Sequence, residues 1–196
     1  LYPYDIKKEG NLYRMSRWLQ EENITIYHSI PTVYRYFTDM LTDEENMSSL
    51  RFIVLGGEAV FRKDVETYKR YFPEDCIFIN GLGPTESTVT IQYFIDKNTE
   101  IKREAVPVGY PVEETEILLL DEQGNVTEGY GVGEIVYKSD YLALGYFNKR
   151  ERTEQAFTPD PVSGKGLVYR SGDLGRAHLV AHGRQGPAAA HRGGRG

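Results

Sequence analysis

The sequence has 196 residues, of which 40% are hydrophobic and 27% charged, a composition typical of a globular protein with a buried core. Its formal net charge of −6 at pH 7 argues against a nucleic-acid-binding surface, which has to be basic. No apolar run approaches the roughly 18 residues of a membrane span, and the first residues lack the pattern of a signal peptide. The single cysteine, Cys76, lies in the apolar run CIFI, where we expect a buried thiol in a cytoplasmic protein.

The chain begins with a pattern typical of a helix followed by a strand. Leu12, Met15 and Leu19 recur at helical spacing. Asn23 is a suitable stop for this helix, because the β-branched run ITIY at 24–27 follows it directly. We therefore predict a helix and then a short strand.

Two more helices and two more strands are predicted to follow. The apolar runs at 52–55 and 76–80 are typical of strands buried on both faces of a parallel sheet. The helix at 32–41 is predicted to bury Val33, Tyr36, Phe37 and Met40. The helix between the two runs is predicted to bury Val65, Tyr68 and Phe72. This βαβαβ order predicts a parallel sheet with right-handed crossovers.

From about residue 105 the pattern changes to short strands separated by Gly, Pro and Asn turns, which predicts an antiparallel sheet or a small barrel. We therefore expect an α/β subdomain at 1–104 and a β subdomain at 105–176. The last segment, 177–196, contains five Ala, five Gly, three His and three Arg, with no acidic or aromatic residue. Such a composition cannot offset the entropy of ordering, so we expect this tail to be disordered.

Two glycine-containing turns follow predicted parallel strands, at the sheet edge where α/β folds bind ligands. In GGEA, Gly56 and Gly57 have no side chain to keep a ligand from the backbone. In NGLGPTES, Thr85 can donate to a phosphate oxygen and Glu86 offers a hard oxygen ligand for Mg²⁺. By composition alone, each turn is weak evidence for a ligand site, because a glycine-rich turn between a strand and a helix more often has a structural role.

Five segments, in this order, resemble the adenylate-forming (AMP-binding) superfamily. IPT at 30–32 is similar to its PPT/PSL segment, GGEA to its GGE turn and NGLGPTE to its NxYGPTE motif. The segment GEIVYKSDYLALGYFN at 133–148 is similar to GELxIxGxxLARGYxN, and YRSGDLGR at 169–176 to YRTGDLGR. The likeness is greatest to the amino-acid-activating adenylation domains of nonribosomal peptide synthetases.

This resemblance implies the fold class α/β. The chain would be the middle-to-end part of the large N-terminal domain of an adenylate-forming enzyme. It would contain a partial parallel α/β sheet unit followed by a small antiparallel β-barrel-like subdomain.

The resemblance also implies a two-step activation. A carboxylate, here of an amino acid, attacks the α-phosphate of ATP to give an acyl adenylate and pyrophosphate. The acyl group then passes to the phosphopantetheine thiol of a carrier-protein domain. ATP and Mg²⁺ are the implied cofactors, and neither a nucleic acid nor a membrane is an implied partner. Chemistry of this kind needs groups that position ATP and neutralise charge.

Residue by residue, the resemblance assigns roles to the matching positions. Glu86 would coordinate Mg²⁺, Thr85 would contact the α-phosphate, and Asp173 would accept hydrogen bonds from both ribose hydroxyls. The rest of the nucleotide site would be Gly57, Glu58, Ala59, Asn80, Gly81, Leu82 and Gly83. The carboxylate pocket would be lined by His28, Val54, Gly56, Gly81, Val89 and Thr90. Local sequence alone leaves an alternative for two of these residues. Asp173 has the surroundings of an exposed turn residue, and His28 those of a structural histidine.

The sequence departs from the family pattern in three places. Leu82 stands where the family usually has an aromatic ring that stacks on adenine, at a cost of about 1 kcal/mol of aromatic interaction. The sequence contains neither the TSGTTGxPKG-type phosphate loop nor the subdomain with the catalytic lysine, so we expect the chain alone to be inactive. The likeness stops at Arg176, and a shift of reading frame would explain 177–196. A cloning scar and a natural extension are the alternatives.

Three other functions stay open. An acyl- or aryl-CoA ligase shares the motifs, although GYFN and GPTE favour the synthetase. A non-catalytic remnant would keep the fold without turnover, as Leu82 and the unusual tail suggest. A nucleic-acid-binding protein that uses the arginines of the tail would show affinity that falls steeply with salt.

Overall fold

A computed structural model describes residues 1–6, 12–43, 45, 47–127 and 131–177. Apart from Ala177, the tail at 177–196 lies outside the described residues. The chain divides into two compact units. Among the described residues, the first contains Leu1–Leu82 and Gln92–Gly109, and the second contains Gly83–Ile91 and the chain from Tyr110 to Ala177.

The first unit is built on a parallel sheet with helices between its strands. After a 3₁₀ turn at Leu12–Arg14, its elements are α1 (Met15–Glu21), β1 (Ile26–Ser29), α2 (Pro31–Thr38), β2 (Phe52–Gly56), α3 (Arg62–Tyr71), β3 (Ile77–Leu82) and β4 (Ile91–Ile95). The strands are adjacent in the order β1-β2-β3-β4, and both β1 with β2 and β2 with β3 are parallel. This arrangement confirms the predicted α/β class.

Local sequence explains where the helices begin and end. α1 is followed by Asn23 in the left-handed region at φ 49°, which asparagine tolerates better than most residues. α2 begins at Pro31, whose fixed φ suits a first helical turn. At the start of α3, the Asp64 carboxylate accepts a hydrogen bond from the Phe61 N–H at 2.8 Å.

The core of the first unit is rich in aromatic side chains that also form hydrogen bonds. Tyr34 and Tyr68 are fully buried, and their hydroxyls donate to the carbonyls of Asp64 at 3.1 Å and Cys76 at 2.5 Å. Cys76 is buried as predicted, and burial raises the pKa of its thiol to about 12. The prediction for α2 was wrong at Tyr36, which is 65% exposed. Because α2 begins at Pro31, its buried face contains Pro31, Tyr34, Phe37 and Thr38.

The second unit contains an antiparallel sheet, as predicted. Its elements are β5 (Tyr110–Pro111), β6 (Thr115–Leu120), β7 (Val132–Ser139), α4 (Arg150–Ala156), β8 (Phe157–Pro159) and β9 (Leu167–Arg176). The strand order is β6-β7-β9-β8, and every neighbouring pair is antiparallel. A small apolar cluster lies on the sheet, formed by Leu118, Leu120, Val136 and Val168. None of the helices in the described part of the chain has the length and apolar character of a membrane-spanning segment.

Candidate functional site

In the first unit, the carboxyl ends of β1, β2 and β3 lie at one edge of the sheet. His28 pairs with Val54, and Gly56 pairs with Gly81. A Cβ on Gly56 would lie 3.0 Å from the Gly81 carbonyl oxygen, so glycine allows these strand ends to approach closely. Gly57 follows in the left-handed region at φ 85°. The structure therefore brings these predicted residues to the edge where α/β folds bind ligands.

The GGEA turn is exposed, but its acidic side chain has partners in its own unit. The Glu58 carboxylate accepts hydrogen bonds from the Thr32 N–H at 2.9 Å and the Thr32 hydroxyl at 2.5 Å. These bonds place a negative charge at the N-terminus of α2, where the helix dipole favours it. The Ala59 carbonyl accepts a hydrogen bond from Arg35 Nη2 at 2.7 Å. The turn is thus bound to α2 by the side chain of Glu58, from the turn, and by the side chain of Arg35, from the helix.

Asn80 lies in the second half of β3, in a buried position. It is 3% exposed, and its Nδ2 donates to the Pro107 carbonyl at 3.0 Å and the Val106 carbonyl at 3.4 Å. Its side-chain amide nitrogen therefore fixes the segment at Val106 and Pro107, which belongs to the same unit. The next residues, Gly81 and Leu82, are buried and half-buried.

The GPTES residues form a compact turn in the second unit. A Cβ on Gly83 would overlap the Thr88 carbonyl, so the chain can fold back this closely only with glycine. Thr88 lies in the left-handed region at φ 60°. Thr85 is exposed and Glu86 is half-buried. The turn thus presents both predicted phosphate and metal contacts towards solvent.

Glu86 is held by the segment LALGYFN. The Tyr146 hydroxyl donates to Glu86 Oε1 at 2.5 Å, and the Ala143 N–H donates to the Glu86 carbonyl at 2.7 Å. The hydrogen bond from Tyr146 is the largest cause that lowers the pKa of Glu86, and Tyr169 and the charge of Arg152 act in the same direction. The carboxylate is therefore ionised at neutral pH.

Tyr146 is itself well supported. The Arg152 guanidinium lies 5.2 Å from the centre of its ring, and Phe157 contacts it edge-on at 5.9 Å. Its backbone N–H donates to the Thr153 hydroxyl at 2.9 Å. Gly145 precedes it at φ 137°, and a Cβ there would lie 2.5 Å from Thr153 Cγ2. The GY pair in this segment therefore fixes the ring that holds Glu86.

Asp173 lies in a bulge of β9. Val136 of β7 pairs with Arg170, whereas Glu134 pairs with Leu174. One residue of β7 thus faces three residues of β9, and these three leave the ladder. Asp173 is the last of them, and it is exposed.

Glu134 contacts this bulge with both carboxylate oxygens. Oε1 accepts a hydrogen bond from the Gly172 N–H at 3.0 Å. Oε2 accepts from Arg170 Nε at 3.0 Å and also from Arg170 Nη2. Burial raises the pKa of Glu134, but the bonds from Arg170 and Gly172 outweigh it and lower the pKa overall. One ionised side chain therefore binds the bulge at Gly172 and the residue that precedes it, Arg170.

Ser171 completes the contacts of the bulge. Its hydroxyl donates to the Ile135 carbonyl at 2.6 Å and accepts from the Asp173 N–H at 3.0 Å. Burial, and after it the charge of Asp173, raise the pKa of Tyr137 to about 12.

Two predicted pocket residues also belong to the second unit. Val89 is half-buried, and Thr90 is 3% exposed. The Thr90 carbonyl accepts a hydrogen bond from the Val112 N–H at 2.8 Å. Its hydroxyl has no hydrogen-bond partner among the residues that the structure describes.

Sequence reasoning missed the residues that hold the Glu86 side chain and the bulge that contains Asp173. Tyr146, Glu134 and Arg170 all lie in the segments 133–148 and 169–176, which resemble family motifs. Their presence in those motifs was the available signal, but the motifs did not indicate which residues pair.

Comparison with known proteins gives one family. The sequence family described as AMP-binding enzyme matches residues 6–147. Among curated proteins, bacitracin synthase 1 of Bacillus licheniformis is 30% identical over 173 residues, and surfactin synthase subunit 1 of Bacillus subtilis (strain 168) is 31% identical over 166 residues. These alignments cover 87% and 85% of this chain. The chain spans only 3% and 4% of the length of those relatives.

Solved structures show the same fold. The structure of CmiS6 has a TM-score of 0.81 and 26% identity, over 90% of this chain and 43% of that one. PA1221, described as a nonribosomal peptide synthetase protein containing adenylation and PCP domains, has a TM-score of 0.73 and 28% identity. That alignment covers 91% of this chain and 34% of PA1221.

Proposed function

The chain belongs to the family of AMP-binding enzymes, and from that premise we propose that it takes part in the ATP-dependent activation of an amino acid or another carboxylate. The observation that carries the proposal is the presentation of two acidic side chains by motif partners. Tyr146 holds an ionised Glu86, and the β9 bulge presents an exposed Asp173. Carboxylates suit the two polar parts of a nucleotide. They accept hydrogen bonds from the ribose hydroxyls, and they coordinate the Mg²⁺ that binds the phosphates.

The proposed reaction has two steps. A substrate carboxylate oxygen bonds to the α-phosphorus of ATP while the bond from that phosphorus to pyrophosphate breaks. The acyl group of the resulting adenylate is then transferred, with release of AMP. A phosphopantetheine group on a carrier domain would supply the thiol that accepts it. The chain's part in both steps is to bind and orient the nucleotide.

Glu86 fits the proposed Mg²⁺ ligand. Its carboxylate is half-buried, ionised and held by a neutral hydroxyl donor, which leaves the negative charge for a cation. In the described part of the chain, no group of three or more His, Cys, Asp or Glu could hold a metal ion. Mg²⁺ would therefore depend on Glu86 together with phosphate oxygens and water, which is its usual coordination in nucleotide enzymes.

The other proposed contacts follow from what each residue leaves available. Asp173 would accept hydrogen bonds from the ribose hydroxyls, and the exposed Thr85 would donate to the α-phosphate. The Glu58 carboxylate and the Asn80 amide nitrogen already have partners in their own unit, so their backbone atoms are the groups we expect at the adenine. Leu82 would contact the base with apolar atoms only.

The proposed adenine wall and carboxylate pocket contain the remaining residues predicted from sequence. Besides Glu58, Asn80 and Leu82, the adenine wall would include Gly57, Ala59, Gly81 and Gly83. The proposed carboxylate pocket contains His28, Val54, Gly56, Gly81, Val89 and Thr90. His28 is exposed at the sheet edge, and we expect it to favour a polar or acidic group on the substrate.

The test measures nucleotide binding by the 196-residue chain. NMR titrations with AMP, and with ATP in the absence and presence of Mg²⁺, give the affinities. We expect Asp173→Asn to weaken AMP binding about tenfold, since hydrogen bonds to a charged group are lost. Glu86→Gln should leave AMP binding unchanged but remove the gain that Mg²⁺ gives to ATP. Asp121→Asn, in an exposed turn of the second unit, is the matched control.

Two outcomes would overturn the proposal. One is a chain that binds neither nucleotide at millimolar concentration, and the other is that both variants bind like the control.

Binding and turnover are separate expectations. Because the sequence has no TSGTTGxPKG-type phosphate loop, we propose that this chain alone does not catalyse amino-acid-dependent ATP–pyrophosphate exchange. Measurable exchange by the purified chain would refute that statement without affecting the binding proposal.

A further inference from the structure

We propose that Glu134 is a positioning residue for Asp173, because it holds the β9 bulge in the conformation that presents Asp173 to the ribose of a bound nucleotide. This inference rests on the proposed function, since it requires Asp173 to be a ribose ligand. It joins two sequence segments, GEIVYK and YRSGD, that resemble separate family motifs. The structure shows them to be in direct contact.

The two carboxylate oxygens of Glu134 bind two neighbouring points of β9. Oε1 accepts a hydrogen bond at 3.0 Å from the N–H of Gly172, which lies within the bulge. Oε2 accepts hydrogen bonds from Arg170, the residue that precedes the bulge: one from Nε at 3.0 Å and one from Nη2. The side chain of Glu134 is only 18% exposed, compared with 41% for the side chain of Arg170. Charge-assisted bonds to a shielded carboxylate are stronger and more directional than those in open solvent.

The bulge needs such a support because its own backbone gives little. Its residues have left the ladder, and Gly172 lies in the left-handed region at φ 76°. A Cβ on Gly172 would meet no atom of the described chain within 4 Å, so glycine is needed there for its backbone angle and not for space. A loop of this kind has to be ordered before binding, or the ordering lowers the affinity.

The Glu134 side chain contacts the bulge at Gly172, and its other partner is the side chain of Arg170, not a backbone group of the ladder. The ladder between β7 and β9 continues on both sides, with Tyr137 beside Tyr169 and Gly133 beside Gly175. The sheet therefore keeps its strand pairs without this carboxylate. We accordingly expect a substitution of Glu134 to change what the bulge presents rather than whether the sheet forms.

The test compares AMP with 2′,3′-dideoxyadenosine monophosphate, which lacks the ribose hydroxyls, by NMR titration of the full chain. Wild type should bind AMP about tenfold more tightly than the dideoxy nucleotide. Glu134→Gln, which cannot accept from Arg170 and Gly172 together, should bind AMP about tenfold more weakly and the dideoxy nucleotide unchanged. Glu116→Gln breaks an ion pair with Lys138 on the same sheet and should behave like wild type.

Two further variants separate positioning from folding. Arg170→Lys keeps the charge but loses the planar fork, so it should lose part of the preference for AMP. If Glu134 acts through Asp173, Glu134→Gln combined with Asp173→Asn should bind AMP no more weakly than Asp173→Asn alone. Hydrogen exchange of the Gly172 amide should be faster in Glu134→Gln in the absence of any nucleotide.

The outcomes that overturn the inference are distinct from those that overturn the proposed function. A Glu134→Gln variant that keeps the full preference for AMP, or that loses affinity equally for both nucleotides, contradicts the positioning role. A wild type that binds both nucleotides equally removes the role of Asp173 and this inference with it. A wild type that binds neither removes the proposed function itself.

Discussion

The two units of the molecule hold their candidate residues in opposite ways. In the first unit, Glu58 and Asn80 bond within the unit, and the strand ends offer mainly backbone and glycine. In the second unit, the Tyr146 hydroxyl holds an ionised Glu86, and the side chain of Glu134 holds the bulge in which Asp173 is exposed. The first unit therefore provides shape and the second provides charge. Substitutions in the first should act mainly through stability, and those in the second through binding.

The cores of the two units differ in the same sense. The first has fully buried aromatic side chains, Tyr34, Tyr68 and Phe78 among them, in one large apolar cluster. The second has a four-residue apolar cluster and a set of aromatic rings that includes Tyr146, Phe157 and Tyr169. Since that set contains the ring that holds Glu86, packing and site are less separable in the second unit.

The largest expected effect is on the stability of the first unit. Asp64 is 4% exposed and accepts hydrogen bonds at 2.8 Å from Arg35 Nε, Arg35 Nη2 and the Phe61 N–H. Asp64→Ala should lower the free energy of unfolding by about 3 kcal/mol, because it removes the anionic partner of Arg35 and leaves a helix uncapped. Urea unfolding followed by the fluorescence of Trp18, the single tryptophan, reports on this unit. Asp43→Ala, at an exposed ion pair, is the control and should cost less than about 0.5 kcal/mol.

The second prediction concerns the turn that presents Glu86. Gly83→Ala should force the chain away from the Thr88 carbonyl, at a cost of about 1–3 kcal/mol. We expect the gain in ATP binding from Mg²⁺ to disappear, while unfolding monitored at Trp18 stays unchanged. Gly124→Ala in the same unit is the control: its Cβ would meet no atom of the described chain within 4 Å, so it adds only the backbone strain of a positive φ (84°) and should leave the gain from Mg²⁺ in place. Equal binding by both variants would contradict the role of the turn.

The third prediction gives a pH dependence. Because the Tyr146 hydroxyl bonds to ionised Glu86, Tyr146→Phe should raise the pKa of Glu86 towards its ordinary value. Protons should then compete with Mg²⁺ at higher pH, so the acid limb of Mg²⁺-dependent ATP binding should move up in pH. At the acid end we expect about fivefold weaker binding, the effect of about 1 kcal/mol. Tyr141→Phe, at an exposed tyrosine, should leave the profile in place.

The fold was predictable wherever apolar spacing decides the structure. Runs of apolar residues indicated β2 and β3, since strands buried on both faces have no polar alternation. The sequence did not indicate α4, because this helix buries no residue and shows no apolar period; an Arg150–Glu154 ion pair at i,i+4 supports it. The error at Tyr36 is one of helix phase: the face that packs on the core contains Pro31, Tyr34, Phe37 and Thr38, roughly 100° around the helix axis from the predicted face.

The site was predictable as residues but not as contacts. Resemblance to family motifs singled out Glu86 and Asp173, whose roles remain proposals. It could not show that Tyr146, 60 positions along the chain, donates to Glu86, or that Glu134 binds the segment before Asp173. Such pairs depend on strand register and loop path, which no local spacing encodes.

The smallest expected effect is at Cys76, and it tests whether the two units respond separately. Its thiol is fully buried and its pKa is raised to about 12, so at mildly alkaline pH it stays protonated and should not react with iodoacetamide in the native chain. Labelling then requires the first unit to open. Asp64→Ala should speed it and Glu134→Gln should not. Fast labelling of the native chain would contradict the protection of this thiol, and equal acceleration by both variants would mean that the units do not respond independently.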